Sequence, residues 1–148
     1  MKLEIESTLN FITHLMRLYC YSSKKKINEK KLKKFTACLQ MLLERRYEFH
    51  WFPEKPFKGS GYRAIRICHR MDPVLQQAAQ QCGISPEFLI ASLPQELTIW
   101  IDPQEVSCRF GSDSKIYQIY EHKEGVDIPW TGEIIKKENP CNILSCFN

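Results

Sequence analysis

One segment of the chain, residues 93–111 (LPQELTIWIDPQEVSCRFG), restricts the possible fold more than any other. Its middle alternates like a β-strand, in which successive side chains point to opposite faces of a sheet. The face typical of a surface buried on a core carries Leu97, Ile99 and Ile101. Trp100 and Asp102 lie on the opposite face, where an exposed ring beside a carboxylate indicates a docking site. Burial of Trp100 under another element, and a turn role for Asp102 before Pro103, are the structural alternatives.

Composition favours one soluble domain. The 148 residues are 43% hydrophobic and 26% charged, which suits a single buried core. Glu4, Glu6 and Arg17 interrupt the apolar N-terminal segment, so that segment lacks the continuous apolar run of a signal peptide or membrane span. We therefore expect an intracellular protein with no membrane contact.

The cysteines favour free thiols. There are seven, an odd number, and they include no CxxC pair and no histidine at zinc-finger spacing. This pattern predicts reduced thiols in preference to a disulfide framework or a zinc site.

Two helices are predicted at the start of the chain. Apolar residues recur with a helical period from Glu4 to Tyr19, and Asn28 is placed to cap a second helix. The apolar stripe of that second helix consists of Leu32, Phe35, Leu39, Leu42 and Leu43. Three of these leucines also spell the LxxLL pattern that docks in nuclear-receptor grooves, but the helix needs the same leucines for its core.

A further strand is predicted at residues 62–68 (YRAIRIC), after a loop rich in proline and glycine. Alternation places Arg63 on the same face as Ile65 and Ile67, and we expect the two isoleucines to meet the core. Tyr62 then belongs to the outer face, where it is available to a partner.

The remaining signals complete an α+β fold. Asp72 and Ser85, each followed by proline, mark the starts of two short helices, and residues 96–120 have the pattern of strands joined by tight turns. We predict a single domain in which an N-terminal helix pair and short helices pack on a small antiparallel sheet. The domain is assigned to residues 1–120, and residues 121–148 are expected to form a loosely held tail. Candidate anchors of this tail are Trp130, Ile134 and Ile135.

Positive charge is concentrated between Arg17 and Lys34. This stretch contains eight Lys or Arg and one Glu, a net charge of +7. Such a patch suits RNA or an acidic partner, whereas a solvated helix face is the ordinary alternative. Because no aromatic residue interleaves the lysines, direct nucleic-acid binding is the less favoured interpretation. The candidate patch consists of Lys24, Lys25, Lys26, Lys30, Lys31, Lys33 and Lys34.

Two segments resemble the signature boxes of the BTG/Tob anti-proliferative family. They are HWFPEKPFKGSGYRAIRI, residues 50–67, and LPQELTIWIDPQEVSCRFG, residues 93–111. The order of elements, the opening residues and the intervening MDPVLQQAAQQCGIS are also similar to the family. The resemblance covers about residues 1–120, with a short tail as in the BTG branch.

The resemblance implies a non-catalytic adaptor. Members of the family bind the DEDD-type nuclease subunit of the Ccr-Not deadenylase complex, which links them to poly(A) shortening, mRNA turnover and restraint of proliferation. The nuclease-contacting positions of the family correspond here to Tyr62, Trp100 and Asp102. Transcription factors are further partners that the resemblance allows, in the role of a transcriptional co-regulator, and localisation is expected to be both cytoplasmic and nuclear.

The resemblance also implies a contact with poly(A)-binding protein through the segment after the second box. The candidate residues are Gly111, Ser112, Asp113, Ser114, Lys115, Ile116, Tyr117 and Tyr120. This segment departs from the family at its usual acidic and glycine positions.

The sequence patterns do not indicate an enzyme. The four histidines are not paired by sequence with a nucleophile, and the glycine-containing loop FKGSGYR lacks the spacing of a phosphate-binding loop. The carboxylates are dispersed along the chain, whereas a catalytic magnesium site needs several that converge. We therefore predict no catalytic residue, no metal and no cofactor.

Overall fold

The computed structural model of the chain describes residues 1–112 and 115–132. This part of the chain forms five helices and four strands. The helices are α1 (Lys2–Ser22), α2 (Glu29–Tyr47), α3 (Ser60–Arg63), α4 (Pro73–Gln81) and α5 (Pro86–Ser92). The strands are β1 (Ile65–Cys68), β2 (Glu96–Asp102), β3 (Glu105–Phe110) and β4 (Ile116–Glu121).

Side-chain caps begin three of the helices, as the sequence predicts. The Asn28 side chain accepts hydrogen bonds from the first amides of α2. Asp72 and Ser85 do the same for α4 and α5, each of which has proline in its first turn. These caps satisfy amides that have no partner inside the helix.

The four strands form one antiparallel sheet in the order β1-β2-β3-β4. On one face, Ile99 of β2 lies between Ile65 of β1 and Cys108 of β3, and all three are fully buried. Helix α1 packs against β2, β3 and β4. The predicted core face of β2 and the predicted α+β fold are confirmed.

Helices α2, α4 and α5 pack together beside α1. Helix α2 packs on α1 and α4, and α5 packs on both α1 and α4. Leu39 and Leu43 of the LxxLL segment are completely buried in this layer, and Leu42 is partly buried. The motif therefore belongs to the core and is not displayed for a receptor groove.

The structure corrects the predicted strand over residues 62–68. Tyr62 and Arg63 lie in the short helix α3, and the strand begins only at Ile65. Gly59 caps α3 with a left-handed φ of 75°, a conformation that glycine adopts without steric cost. The chain therefore turns where strand alternation predicts extension, although Ile65 and Ile67 do reach the core.

Beyond β4, Trp130 anchors the chain to α1. Its ring meets Phe11 edge-on, its backbone amide donates to the Ser7 hydroxyl, and its carbonyl accepts from the Asn10 side chain. Ile134 and Ile135 lie outside the described residues. Within the described ranges, no helix is long and apolar enough to span a membrane.

Candidate protein-docking site

Arg63 occupies the centre of a polar junction beneath the candidate surface. Its side chain is completely buried, and its guanidinium forms an ion pair with Asp102 at 2.6 Å. It also donates at 2.7–2.8 Å to the backbone carbonyls of His50, Pro56, Lys58 and Ile101. A buried charge is tolerated when it is paired and its donors are satisfied. Arg63 therefore ties the loop before α3 to the end of β2.

Asp102 is buried, which corrects the expectation that its carboxylate faces solvent. Only 6% of the residue is exposed, and the carboxylate accepts from both Arg63 and the Ser60 hydroxyl, the latter at 2.9 Å. Strand alternation places Asp102 in one row with Trp100, but α3 packs over this end of β2 and Asp102 is buried. We refer to Arg63, Asp102 and Ser60 as the polar junction.

Tyr62 projects from α3 and remains 49% exposed. Its ring lies 4.0 Å from the ring of His50, and the Arg46 guanidinium lies 5.4 Å from its centre. Arg46 in turn approaches the carboxylate of Asp72 at 3.7 Å. The ring is therefore held by His50 and Arg46 while half of its residue surface stays accessible.

Tyr47, the last residue of α2, supports α3 from below. It is fully buried, and its hydroxyl donates to the Arg63 carbonyl at 2.6 Å. Burial raises the pKa of Tyr47 well above its ordinary value. The Trp51 ring stacks near it at 6.2 Å. The junction thus has an uncharged hydroxyl partner on its inner side.

Trp100 lies on the outer face of the sheet and is partly exposed. It pairs with Ser107 across β2 and β3, and the Arg109 guanidinium lies 5.5 Å from the centre of the Trp100 ring. The indole is therefore flanked by a cation and not enclosed by the apolar core. Such an arrangement keeps a large apolar ring in one orientation with surface left for a partner.

The sequence matches the BTG family over residues 1–120. This chain belongs to the BTG/Tob anti-proliferative family. It is 50% identical to chicken BTG1 over 118 residues, 80% of this chain and 66% of that protein. It is 47% identical to human BTG2 over 145 residues, 98% of this chain and 81% of BTG2. With human Tob1 it shares 41% identity over 120 residues, 81% of this chain and 33% of Tob1. The chain thus spans slightly less than two thirds of chicken BTG1 and a third of human Tob1.

A solved structure has the same fold. The BTG/Tob domain of C. elegans FOG-3 matches with a TM-score of 0.69 over 82% of this chain and 91% of the FOG-3 chain. Sequence identity is 20%, so this similarity shows the fold. The polar junction and the two outer aromatic residues described above lie within the part of this chain that matches the BTG family.

The segment after the second box is divided between exposed and buried residues. Ser112, Lys115 and Ile116 are exposed, whereas Tyr117 is partly buried and Tyr120 is buried. The Gly111 amide donates to the Glu96 carbonyl at 2.9 Å, which closes the end of β3 against β2. Asp113 and Ser114 lie outside the described residues. Among the described residues of this segment, only the exposed ones are accessible to a partner.

The lysine patch of this BTG/Tob domain lies at the end of α1 and the start of α2. All seven candidate lysines are exposed. Lys31 donates to the Gly83 carbonyl at 2.9 Å, and the Lys25 ammonium lies 5.6 Å from the centre of the Tyr19 ring. The patch is remote in sequence from both signature boxes.

Sequence reasoning missed the role of Arg63, although a signal was present. Alternation put this arginine in one row with Ile65 and Ile67, and a charged residue in an apolar row needs a partner. Asp102 supplies it from a strand 39 residues away along the chain. The described ranges hold no group of three His, Cys, Asp or Glu residues able to bind a metal.

Proposed function

We propose that this protein is a non-catalytic adaptor that binds the DEDD-type nuclease subunit of the Ccr-Not deadenylase complex. Through this contact it regulates the shortening of mRNA poly(A) tails. Membership of the BTG/Tob family supports the broader role of an anti-proliferative regulator. The observation that carries the proposal is the pair of accessible rings, Trp100 beside Arg109 on the outer face of β2 and Tyr62 on α3 next to the polar junction.

Trp100 is assigned as the main anchor of the contact. Removal of roughly 100 Å² of indole surface from water contributes about 2.5 kcal/mol, which is the size of an interface hot spot. Arg109 holds the ring in one orientation, so less side-chain entropy is lost on binding. Tyr62 adds a second rigid ring and a hydroxyl at low entropic cost.

Asp102 is assigned a positioning role within the proposed contact. Its carboxylate has only a small exposed edge and is already bonded to Arg63 and Ser60. Loss of this carboxylate would release α3, and with it Tyr62. We therefore propose that Asp102 affects nuclease binding mainly through the geometry of the docking surface.

Co-purification tests the proposed function. The tagged full chain is expressed in cells, captured from lysate, and probed for the nuclease subunit of the Ccr-Not complex. We expect the wild type to retain the nuclease and Trp100→Ala to lose it, since the anchor ring is gone.

Tyr21→Ala is the matched control, because Tyr21 is 86% exposed at the far end of α1. It should retain the nuclease as the wild type does. Failure of the wild type to retain the nuclease, or equal retention by Trp100→Ala, would contradict the proposal.

Further partners belong to the same proposal. Ser112, Lys115 and Ile116 are exposed and form the proposed contact with poly(A)-binding protein. We place the activity in both cytoplasm and nucleus, where transcription factors are additional candidate partners.

A basic-patch interaction with nucleic acid is the second candidate function, favoured by the exposure of all seven lysines. Binding through phosphate contacts weakens steeply with salt. Titration of oligo(A) and duplex DNA at low and high salt tests it, with Lys33→Glu/Lys34→Glu as the variant. Absence of binding at low salt would remove this candidate.

A further inference from the structure

Two cysteines meet where α2 packs on α4. Cys38 lies in the middle of α2, and Cys82 follows the last residue of α4. Both are partly buried against the core, and the Cys38 thiol is 2.7 Å from the Gln81 side-chain oxygen. Cys82 is the next residue after Gln81, and Cys38 and Lys34 of α2 are the groups that act on the Cys82 thiol. The Cys38 and Cys82 side chains are therefore neighbours across the helix pair.

At the other end of the interface between α2 and α4 lie the residues that hold the Tyr62 ring. There, Arg46 of α2 meets Asp72, which caps α4, and also covers the Tyr62 ring. The two contacts show that α2 and α4 run antiparallel, with the thiols at one end and the Arg46–Asp72 pair at the other. A covalent link at the thiol end would fix the interface on which Tyr62 rests.

The local chemistry gives the two thiols different roles. Burial raises the pKa of Cys82, and the charge and hydrogen bond of Cys38 act in the same direction, whereas the nearby Lys34 lowers it. The first attack on an oxidant is assigned to Cys38, whose thiol contacts the polar Gln81 side chain, because burial disfavours the thiolate of Cys82. Cys82 then acts as the neighbouring thiol that completes the bond.

We propose that Cys38 and Cys82 form an oxidant-responsive thiol pair that closes to a disulfide between α2 and α4 when hydrogen peroxide is present. Both remain reduced thiols in the absence of oxidant, as in most intracellular proteins. The proposal does not depend on the identity of the protein partner.

The reaction balances in two steps. The Cys38 thiolate attacks one peroxide oxygen, so an S–O bond forms, the O–O bond breaks, and the released hydroxide takes a proton to become water. The Cys82 sulfur then loses its proton and attacks the Cys38 sulfur, so that the S–S bond forms and the S–O bond breaks. The leaving hydroxide takes up a proton and departs as a second water. In total, two thiols lose two electrons and two protons, and one peroxide becomes two waters.

Peptide mapping of the full chain under non-reducing conditions tests the proposal. After treatment with hydrogen peroxide we expect a linked peptide containing Cys38 and Cys82, which disappears on reduction with dithiothreitol. The oxidised chain should also melt at a higher temperature than the reduced chain, because the bond restricts the unfolded state.

Single variants separate the two roles. Cys82→Ser should prevent the linked peptide and increase dimedone labelling of Cys38 several-fold, since the sulfenic acid then persists. Cys68→Ser is the matched control, because Cys68 is an exposed cysteine on β1 and its loss should leave the linked peptide unchanged. Oxidation of Cys38 and Cys82 without a bond between them, or the same dimedone labelling in wild type and Cys82→Ser, would overturn the proposal.

Discussion

Trp100 and Asp102 occupy equivalent positions in β2 and differ completely in what surrounds them. Strand alternation in the sequence places them in one row, opposite the apolar residues of the strand. Trp100 is partly exposed beside Arg109, whereas Asp102 is 6% exposed and bonded to Arg63 and Ser60. The difference arises because α3 packs over the end of the strand. Strand alternation therefore predicts the direction of a side chain, and the neighbouring elements determine its exposure.

Because their environments differ, the two residues should have different roles. A buried charge left without its partner costs several kcal/mol, whereas an aromatic ring at the surface loses little when it is truncated in the free protein. The polar junction should therefore be needed first for stability, and Trp100 first for binding. Substitutions at Asp102 and at Trp100 can separate the effect on stability from the effect on binding.

The largest expected effect on stability follows from Asp102→Ala. This change leaves the Arg63 guanidinium buried without its counterion, and we expect the free energy of unfolding to fall by about 3 to 5 kcal/mol. Urea denaturation followed by circular dichroism measures it. Glu105→Ala, at the partly exposed start of β3, is the control and should change stability little. Wild-type stability of Asp102→Ala would mean that the polar junction does not hold the fold.

Trp100→Ala should affect binding more than stability. We expect it to weaken binding to the nuclease by about 2 kcal/mol or more, roughly 30-fold in Kd. Its free energy of unfolding should fall by only about 1 kcal/mol, from lost packing and the contact with Arg109. Isothermal titration calorimetry and urea denaturation measure the two quantities. A stability loss equal to that of Asp102→Ala would erase the distinction between the two positions.

The ionisation of Tyr47, on the inner side of the polar junction, should make the stability of the protein depend on pH. Because its pKa is raised in the folded state, the unfolded chain loses this proton first, from about pH 10 upward. The contribution of Tyr47 to stability is therefore complete below about pH 10 and declines above it, by about 1.4 kcal/mol per pH unit while only the unfolded form is ionised.

Tyr47→Phe removes this titration together with the hydrogen bond to the Arg63 carbonyl, which costs about 1 kcal/mol near neutral pH. Its stability should decline less steeply than that of the wild type between pH 10 and 11. Urea denaturation across this range measures both slopes. Parallel slopes would show that Tyr47 ionises equally in both states.

Tyr62→Ala should have the smallest effect on stability. Half of the residue is already in water, so we expect the free energy of unfolding to change by about 0.5 kcal/mol or less. Nuclease binding should weaken by about 1 kcal/mol, and Tyr62→Phe should keep most of the affinity, because the ring supplies most of the contact area. If Tyr62→Ala binds as tightly as the wild type, the docking surface is confined to the Trp100 side.

The predictable part of this fold depends on local signals. Asn28, Asp72 and Ser85 cap the helices that their sequence neighbourhoods predict, because capping is a contact within a few residues. The core face of β2 follows from alternation alone. The turn at α3 was not predicted, since its stability comes from Arg63 donors that reach carbonyls in the preceding loop and in β2.

The sequence by itself determined the α+β fold, the helix starts, the apolar face of the sheet and, through its two signature boxes, the family. These features follow from periodicity, caps and motifs, which are properties of neighbouring residues. Only the tertiary structure decided that Asp102 is a buried counterion while Trp100 remains accessible. The reason is physical: the exposure of a side chain depends on which distant segment packs over it. Here that segment is α3, which is held over Asp102 because the buried Arg63 needs hydrogen-bond and charge partners.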